Sequence, residues 1–398
     1  HVDSMYLYNN ILVLLYVPSN YEGMPWLDSG TTDTISIGIA YWIPVQAKTG
    51  VAFFNMSDPR APEELKTIEA DGYLVSSRVI ENHLHLVQQF LPSLPAPYLI
   101  EDNIKTMTLK DLVPFYSDVT GNPAEPQTEQ LVTYEDFYHP SVDGGASTVT
   151  VTTFDLDNLN IPFTSTGIVA DASVVYASTR ALYCTSTYWN WAGSDREQPS
   201  EQTIIYKFDL TGEQVQAEDY ISVSGRILNQ FSLGEYQDVL RIATTTGWSW
   251  GGETSKNHLY CIKSENDVME IIGRLEDLAP GEELYSARFI GKRGYLVTFL
   301  NIDPLFTLDL SDPTAPEVAG ELEVPGYSTY IHPWGDDHLI TIGMDATDDE
   351  FTWYQGVKLS IFDISNFKKP ELVDTVIIGD TGMSSYSEAL YNHKAFTF

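Results

Sequence analysis

Residues 57–63 read SDPRAPE, and residues 311–317 return nearly the same phrase as SDPTAPE. A weaker echo, SNFKKPE, occupies residues 365–371. Each copy follows a mostly apolar run, at residues 51–56, 305–310 and 359–364. Self-similarity of this kind indicates that one structural unit is used repeatedly along the chain.

The repeat has a period near 50 residues. The steps are 54, 54, 46 and 54 residues when the copies are aligned on Asp155, Asp209, Lys263, Asp309 and Asp363. Between the echoes, short β-branched and aromatic runs alternate with turn residues, which favours strands over helices. A period near 50 with about four strands per unit is typical of a β-propeller blade.

One unit can be followed in full. Its strands a to d are predicted at residues 317–324, 327–332, 338–343 and 357–364. Gly and Asn at the tight hairpins of other units supply the positive φ that primed turns need. The sequence therefore predicts an all-β propeller of four-stranded antiparallel blades.

Both ends of the chain are predicted to lie inside blades. Residues 3–17 fit strands b and c, and residues 372–398 fit strands a to c, which gives seven blades, or eight if the natural protein continues. We expect one propeller domain over residues 1–398, a fragment of a longer chain, with insertions at 18–50 and 91–147. The edge at residues 394–398 is expected to stay open or to be completed by further protein or another chain.

The composition restricts the partners. The formal net charge is −35 and the isoelectric point is about 4.3. Such a field repels phosphate backbones and anionic lipids, which argues against binding to nucleic acid or to a membrane surface. No direct membrane insertion is expected. The charge suits a solvated surface in a salty or extracellular setting, although it would also attract cations. The two cysteines, Cys184 and Cys261, are expected to be buried thiols.

A series of motifs in order resembles a known family. The motifs are LNQFS at 228–232, LRIATT at 240–245, LEDLAPGE at 275–282, YSARFIG at 285–291 and DLSDP at 309–313. The series resembles the secreted prokaryotic, mostly archaeal, proteins with a C-terminal β-propeller domain distantly related to WD40 repeats. The resemblance implies a propeller with an exported or cell-surface location, and it implies no reaction.

Long segments between strands c and d carry most of the tryptophans, and c–d loops leave a propeller on one face. Exposed rings there suit stacking on sugars or anchoring of a protein partner. The alternative is that these loops fold back and bury their own rings. The candidate ligand-binding residues are Trp26, Trp189, Trp191, Trp248, Trp250, Trp353 and Tyr354.

Arg78 and Arg288 occupy matching places in two units, and His332 occupies that place in a third. One interpretation is an ion pair between blades, with an acid such as Asp58 or Glu282, because a buried arginine needs a partner. The other interpretation is an anion-binding ring at one end of the channel.

Signs of catalysis or metal binding are weak. Residues 247–251 read GWSWG, but no helix follows to make a nucleophile elbow, so we assign no catalytic residue. His83 and His85 share a strand face without a third ligand nearby in sequence. An acidic loop could hold calcium, although a solvated turn fits as well; its residues are Asp345, Asp348, Asp349 and Glu350. No other cofactor is expected.

Three functions remain open. The first is a non-catalytic extracellular or cell-surface module that presents an aromatic, acidic face to a glycan or a surface protein. The second is a structural subunit of a cell-envelope or extracellular assembly, which would join other chains. The third is a propeller hydrolase or lyase. The fold alone cannot choose among them.

Overall fold

The computed structural model describes residues 1–18, 47–92, 107–141, 144–190, 200–212, 214–248, 255–299, 302–346, 354–379 and 385–397. Strands dominate these stretches, which confirms the all-β prediction. They also contain the short helix α1 (Leu109–Leu112) and 3₁₀ helices at Tyr134–Asp136, Gln230–Ser232, Glu388–Leu390 and His393–Ala395. None of the helices in the described stretches has the length and hydropathy that crossing a bilayer requires.

The chain divides into two compact units. The first consists of residues 1–186 and 206–218, and the second of residues 187–205 and 219–398.

The first unit holds two extended sheets. One sheet has the order β1-β2-β3-β4-β7-β8, with strands Val2–Tyr8, Ile11–Tyr16, Lys48–Asn55, Glu63–Asp71, Phe115–Asp118 and Thr128–Gln130. The other has the order β5-β6-β10-β11-β9, with strands Tyr73–Ile80, His83–Phe90, Thr148–Asp155, Thr164–Val169 and Phe137–Tyr138. A further four-stranded sheet contains β12 (Val174–Ala177), β13 (Ala181–Asn190), β14 (Ser200–Asp209) and β15 (Gln216–Ser224).

The second unit holds three four-stranded antiparallel sheets. The first contains β16 (Leu233–Tyr236), β17 (Val239–Thr246), β18 (Lys256–Glu265) and β19 (Val268–Leu278). The next contains β20 (Glu283–Ile290), β21 (Arg293–Phe299), β22 (Ile302–Asp309) and β23 (Glu317–Pro325). The last contains β24 (Tyr327–Trp334), β25 (His338–Ala346), β26 (Tyr354–Asp363) and β27 (Glu371–Ile378).

The repeated phrases build the turn after the third strand of a sheet. An Asp or Asn side chain at the strand end accepts a hydrogen bond from the backbone N–H two residues later, at 2.8–3.0 Å, in Asn55, Asp155, Asp209, Asp309 and Asp363. This is the local bonding that makes Asp and Asn favoured turn residues. Hydrogen bonds from Ser311 lower the pKa of Asp309. The Leu310 N–H then donates to the Lys292 carbonyl at 2.9 Å, which ties this turn to the neighbouring hairpin.

The predicted grouping of strands into blades is wrong. Residues 317–324 were assigned to the same blade as residues 327–332, but β23 pairs with β22 of the preceding sheet, from Ile302↔Pro325 to Asp309↔Glu317. The short turn after Asp309 brings β23 back along its own sheet. Gly326, with a φ of +82°, then redirects the chain into β24. In the same way, β4 follows β3 in the sheet that contains β1 and β2.

The predicted strands at residues 372–398 need the same correction. Residues 371–378 form β27, the outer strand of the last described sheet, and pair with β26 from Val357↔Ile378 to Asp363↔Glu371. The 3₁₀ helices Glu388–Leu390 and His393–Ala395 stand where two more strands were expected. The expected open strand edge at residues 394–397 is thus absent, and residue 398 lies outside the described stretches. These stretches form six sheets, and seven blades stays a prediction.

The described part of the insertion at residues 91–147 reaches outer sheet edges. β7 pairs with β4, β8 pairs with β7, and the two-residue strand β9 pairs in parallel with β11. Covering the edges of β4 and β11 removes two surfaces that would otherwise template aggregation. A cleft of about 600 Å³ lies beside these strands, lined among others by Lys66, Tyr116 and Glu129.

Central strands of the sheets supply the hydrophobic cores. In the first unit, Phe53, Leu84 and Phe154 are buried in one cluster with their neighbours. In the second unit, Leu308 and Leu339 are fully buried in two further clusters. Burying each side chain of this size stabilises the fold by about 1.5–3 kcal/mol. These rigid sheets fix the positions at which the connecting loops leave.

Candidate binding surface

The long segments predicted between strands c and d do lie between the second and third strands of a sheet. β17 ends at Thr246 and β18 begins at Lys256, so residues 247–255 make up one such segment. The indole of Trp248, in this segment, is 46% exposed. Trp248 is the candidate tryptophan whose exposure the structure describes, and a ligand-binding role for it stays a prediction.

Trp248 rests on a cation. The guanidinium carbon of Arg226 lies 4.1 Å from the centroid of the indole ring. Arginine over the face of tryptophan is the most favourable of these cation–aromatic pairs. The indole thus has a fixed inner face and an exposed outer face.

Two acids and a carbonyl hold Arg226 in place. Its Nη1 lies 2.9 Å from Glu201 Oε2 and donates to the Gly247 carbonyl at 2.7 Å. Its Nη2 lies 3.1 Å from Glu283 Oε2. A guanidinium carries five N–H donors, so a single arginine can serve several acceptors at once. These partners come from three separate segments of the second unit, so Arg226 joins them beneath Trp248.

Burial changes the pKa of Glu201, the more buried of the two acids. The Glu201 side chain is 2% exposed. Burial raises the pKa of Glu201, and the charge and hydrogen bonds of Arg226 oppose that rise. A buried carboxylate is tolerated only when it is paired in this way.

Gly225, next to Arg226, occupies a position at which a larger residue would clash. Gly225 has a φ of +94°, and a Cβ there would lie 2.8 Å from the Thr245 carbonyl oxygen. Arg226 follows it and exchanges backbone hydrogen bonds with Thr245, at 2.9 and 3.0 Å. This bridge sets the direction in which the Arg226 side chain leaves the backbone. We refer to Trp248, Arg226, Glu201 and Glu283 as the Trp248 platform.

Most other candidate ligand-binding residues lie outside the described stretches: Trp26, Trp191, Trp250 and Trp353. Trp189 and Tyr354 lie within β13 and β26, at strand ends rather than in loops, and their side chains are not described. The clustering of Trp189, Trp191, Trp248 and Trp250 therefore stays a prediction.

The structure brings two of the three channel candidates together. The charge of Arg288 helps lower the pKa of His332, after the larger effect of burial. Arg288 also lies 4.9 Å from the Phe231 ring centroid, and Tyr330 Oη lies 3.3 Å from His332 Nδ1. Arg78, in the first unit, donates to Ser76 Oγ and to the Ser77 carbonyl. The anion-binding role and the ion-pair role of these residues both stay predictions.

Most of the metal candidates lie outside the described stretches. Asp345 lies in β25, whereas Asp348, Asp349 and Glu350 lie outside these stretches. No group of three metal-binding side chains occurs among the described residues. His85 is buried, and its Nδ1 lies 2.9 Å from Thr153 Oγ1. Burial lowers the pKa of His85 to about 4.

The two cysteines and the GWSWG motif are the remaining candidates from the sequence. Cys184 and Cys261 are buried free thiols, as expected. Burial raises the pKa of Cys261 to about 11, which leaves it unreactive at neutral pH. Ser249 of the GWSWG motif lies outside the described stretches.

Comparison with known proteins gives a family match and partial relatives. Residues 1–398 match a family model described as a beta propeller domain. An uncharacterized protein of Archaeoglobus fulgidus is 38% identical over 196 residues, which are 49% of this chain and 28% of that protein. An uncharacterized protein of Methanocaldococcus jannaschii is 40% identical over 175 residues, which are 44% of this chain and 26% of that protein. The matches thus span about a quarter of these relatives.

Similarity to solved structures is weaker. The structure of Chaetomium thermophilum Sqt1 bound to the N-terminus of the ribosomal protein L10 has a TM-score of 0.36 and 10% identity. The match covers 93% of this chain and 84% of that chain.

Proposed function

This chain belongs to the beta propeller domain family, and we propose that it is a non-catalytic module that binds a protein partner through the Trp248 platform. The observation that carries the proposal is an exposed indole held on a partly buried, ion-paired arginine. Tryptophan and arginine are the side chains most enriched among residues that dominate binding energy.

The geometry of the platform supports binding rather than chemistry. A fixed aromatic side chain loses little conformational freedom when a partner covers it, so most of the contact energy is retained. The acids of the platform are engaged with Arg226, which leaves them poorly suited to donate or accept a substrate proton. Their remaining negative charge favours a partner with a basic rim.

We also propose that the module works at the cell surface or outside the cell. A net charge of −35 keeps a protein soluble at high ionic strength. Fractionation of the source cells, followed by detection with an antibody, tests the location. Recovery of the intact protein in the cytosolic fraction alone would contradict it.

The binding test compares two tryptophans with equal exposure. Trp334 is 45% exposed and lies at the β24–β25 hairpin, at the end of its sheet away from the second-to-third-strand loops. Immobilised wild-type, Trp248→Ala and Trp334→Ala proteins would capture partners from extracts of the source cells, with quantification by mass spectrometry. Glycan binding would be measured in parallel on an array.

We expect a protein set that wild type and Trp334→Ala retain and that Trp248→Ala loses. Affinity for the purified partner should fall about 5- to 150-fold in Trp248→Ala, which corresponds to the roughly 1–3 kcal/mol that an anchoring aromatic contributes. Equal capture by all three proteins would contradict the proposal. Trp248-dependent binding to glycans without any protein partner would contradict the class of partner.

A further inference from the structure

A cavity lies in the second unit, at the ends of the strands away from the loops that carry Trp248. The cavity is bordered by the β16–β17 and β18–β19 hairpins and by residues 310–314 of the next sheet. Its volume is about 380 Å³. Small-molecule sites typically occupy about 300–1,000 Å³, so this cavity is large enough for a small ligand.

The charge of the lining reverses that of the chain. The chain has 21 basic and 56 acidic residues. The cavity is lined by the cations Arg241, Lys263 and Lys292 and by the acids Glu265 and Glu270. Lys263 and Glu265 pair with each other, which raises the pKa of the amine and lowers that of the carboxyl. Among the residues that line the cavity, the cations therefore outnumber the acids by one.

Arg241 is a fixed part of the wall. Arg241 is only 3% exposed. Its Nε donates to the Gly234 carbonyl at 2.7 Å, and its Nη1 donates to the Gly291 carbonyl at 2.8 Å. The rings of Tyr236 and Phe289 lie 5.7 and 5.5 Å from the guanidinium carbon. A cation held in this way needs no rearrangement to meet an anion.

The remaining lining is largely apolar, with three hydroxyl groups and one amide. Val239, Leu310 and Pro313 provide hydrocarbon surface. The hydroxyl groups belong to Tyr236, Ser311 and Thr314, and the amide belongs to Gln237. An apolar wall with a few convergent polar groups is the usual construction of a small-molecule site. One excess positive charge matches one negative charge on the ligand.

We propose that this cavity binds a small organic monoanion that combines an apolar or aromatic body with a single carboxylate. The carboxylate lies toward Arg241 and Lys292, and the body lies against Val239, Leu310 and Pro313. The site is separate from the Trp248 platform and does not depend on the function proposed for it.

Benzoate is the probe, with benzyl alcohol and inorganic phosphate as comparators, and binding to the full chain is followed by methyl NMR and calorimetry. The variants are Lys292→Ala and Lys292→Glu. Lys369→Ala is the matched control, because Lys369 is 75% exposed on the same unit, outside the cavity, and its loss changes the net charge equally.

We expect saturable benzoate binding that shifts the methyl signals of Val239 and Leu310. Lys292→Ala should weaken it about fivefold, Lys292→Glu more, and Lys369→Ala by less than about twofold. Equal affinity for benzyl alcohol would overturn the anionic specificity. Preference for phosphate would overturn the carboxylate assignment. Equal losses in Lys292→Ala and Lys369→Ala, or no binding at millimolar benzoate, would overturn the site.

Discussion

Arg226 organises the Trp248 platform because it satisfies two acids at once. Glu201 is almost fully buried, and Glu283 is partly exposed. Removing the cation would leave an uncompensated charge in a poorly solvated place. The same side chain supports the exposed indole, so stability and binding both depend on it.

Replacing Arg226 by Met should therefore lower the free energy of unfolding by about 2–4 kcal/mol. The double variant Glu201→Gln/Arg226→Met should be more stable than Arg226→Met alone, because the buried charge is then gone. Denaturant unfolding measures both values. Lys369→Met is the control, since exposed pairs contribute about 0–1 kcal/mol. A double variant less stable than Arg226→Met would contradict the ion-pair account.

His85 should make stability depend on pH. Its pKa in the folded protein is lowered from 6.5 to about 4 by burial, so the unfolded chain binds the proton more readily between these values. The stabilisation is present above pH 6.5 and is lost as the pH falls toward 4. The loss should approach about 3 kcal/mol.

Unfolding free energies of wild type and His85→Gln, measured from pH 7 to pH 4, test this prediction. The variant should lose less stability on acidification, and the exposed His139→Gln should follow wild type. Parallel profiles for wild type and His85→Gln would show that His85 does not titrate in this range.

At the scale of elements, the turns formed by the repeated phrases at residues 311–317 and 365–371 pack on the outer strand of the preceding sheet. A Cβ at Gly273 in β19 would lie 2.1 Å from the Pro313 carbonyl oxygen, and one at Gly320 in β23 would lie 2.7 Å from the Lys368 carbonyl oxygen. Both contacts involve backbone, which cannot move aside as a flexible side chain would. The repeated phrase therefore sets how closely successive sheets approach.

Gly273→Ala should accordingly cost about 1–3 kcal/mol of unfolding free energy, the usual range for overpacking. Gly291→Ala provides the contrast, because a Cβ there meets no atom within 4 Å and only its φ of +53° opposes alanine. Thermal unfolding of the two variants should rank Gly273→Ala as the less stable. The reverse order would mean that the backbone at Pro313 shifts to accommodate the added Cβ.

Elements were predictable where their signal is local. Alternating apolar runs and turn residues identified strands such as β22, β23 and β25, and the repeat identified their recurrence. The partner sheet of β23 was not predictable, because the phase of a repeat does not state which neighbour a strand pairs with. Arg226 was also missed, since Glu201, Gly247 and Glu283 are 20 or more residues from it in sequence.

At the scale of the molecule, the two ends of the strands in the second unit differ in chemistry. The loop end carries the Trp248 platform, with two acids around one arginine. The hairpin end carries the cationic cavity around Arg241. Under the two proposals, the ends bind different partners, a protein at the loop end and a small organic anion at the hairpin end.

Oxidative footprinting of tryptophans tests most directly whether the loop end binds the protein partner. The captured partner would be mixed with the full chain, and oxidation of Trp248 and Trp334 would be followed by mass spectrometry. Because the two side chains start with similar exposure, 46% and 45%, each serves as the reference for the other. The account predicts that the partner protects Trp248 and leaves Trp334 unchanged. Protection of Trp334 with unchanged oxidation of Trp248 would contradict it.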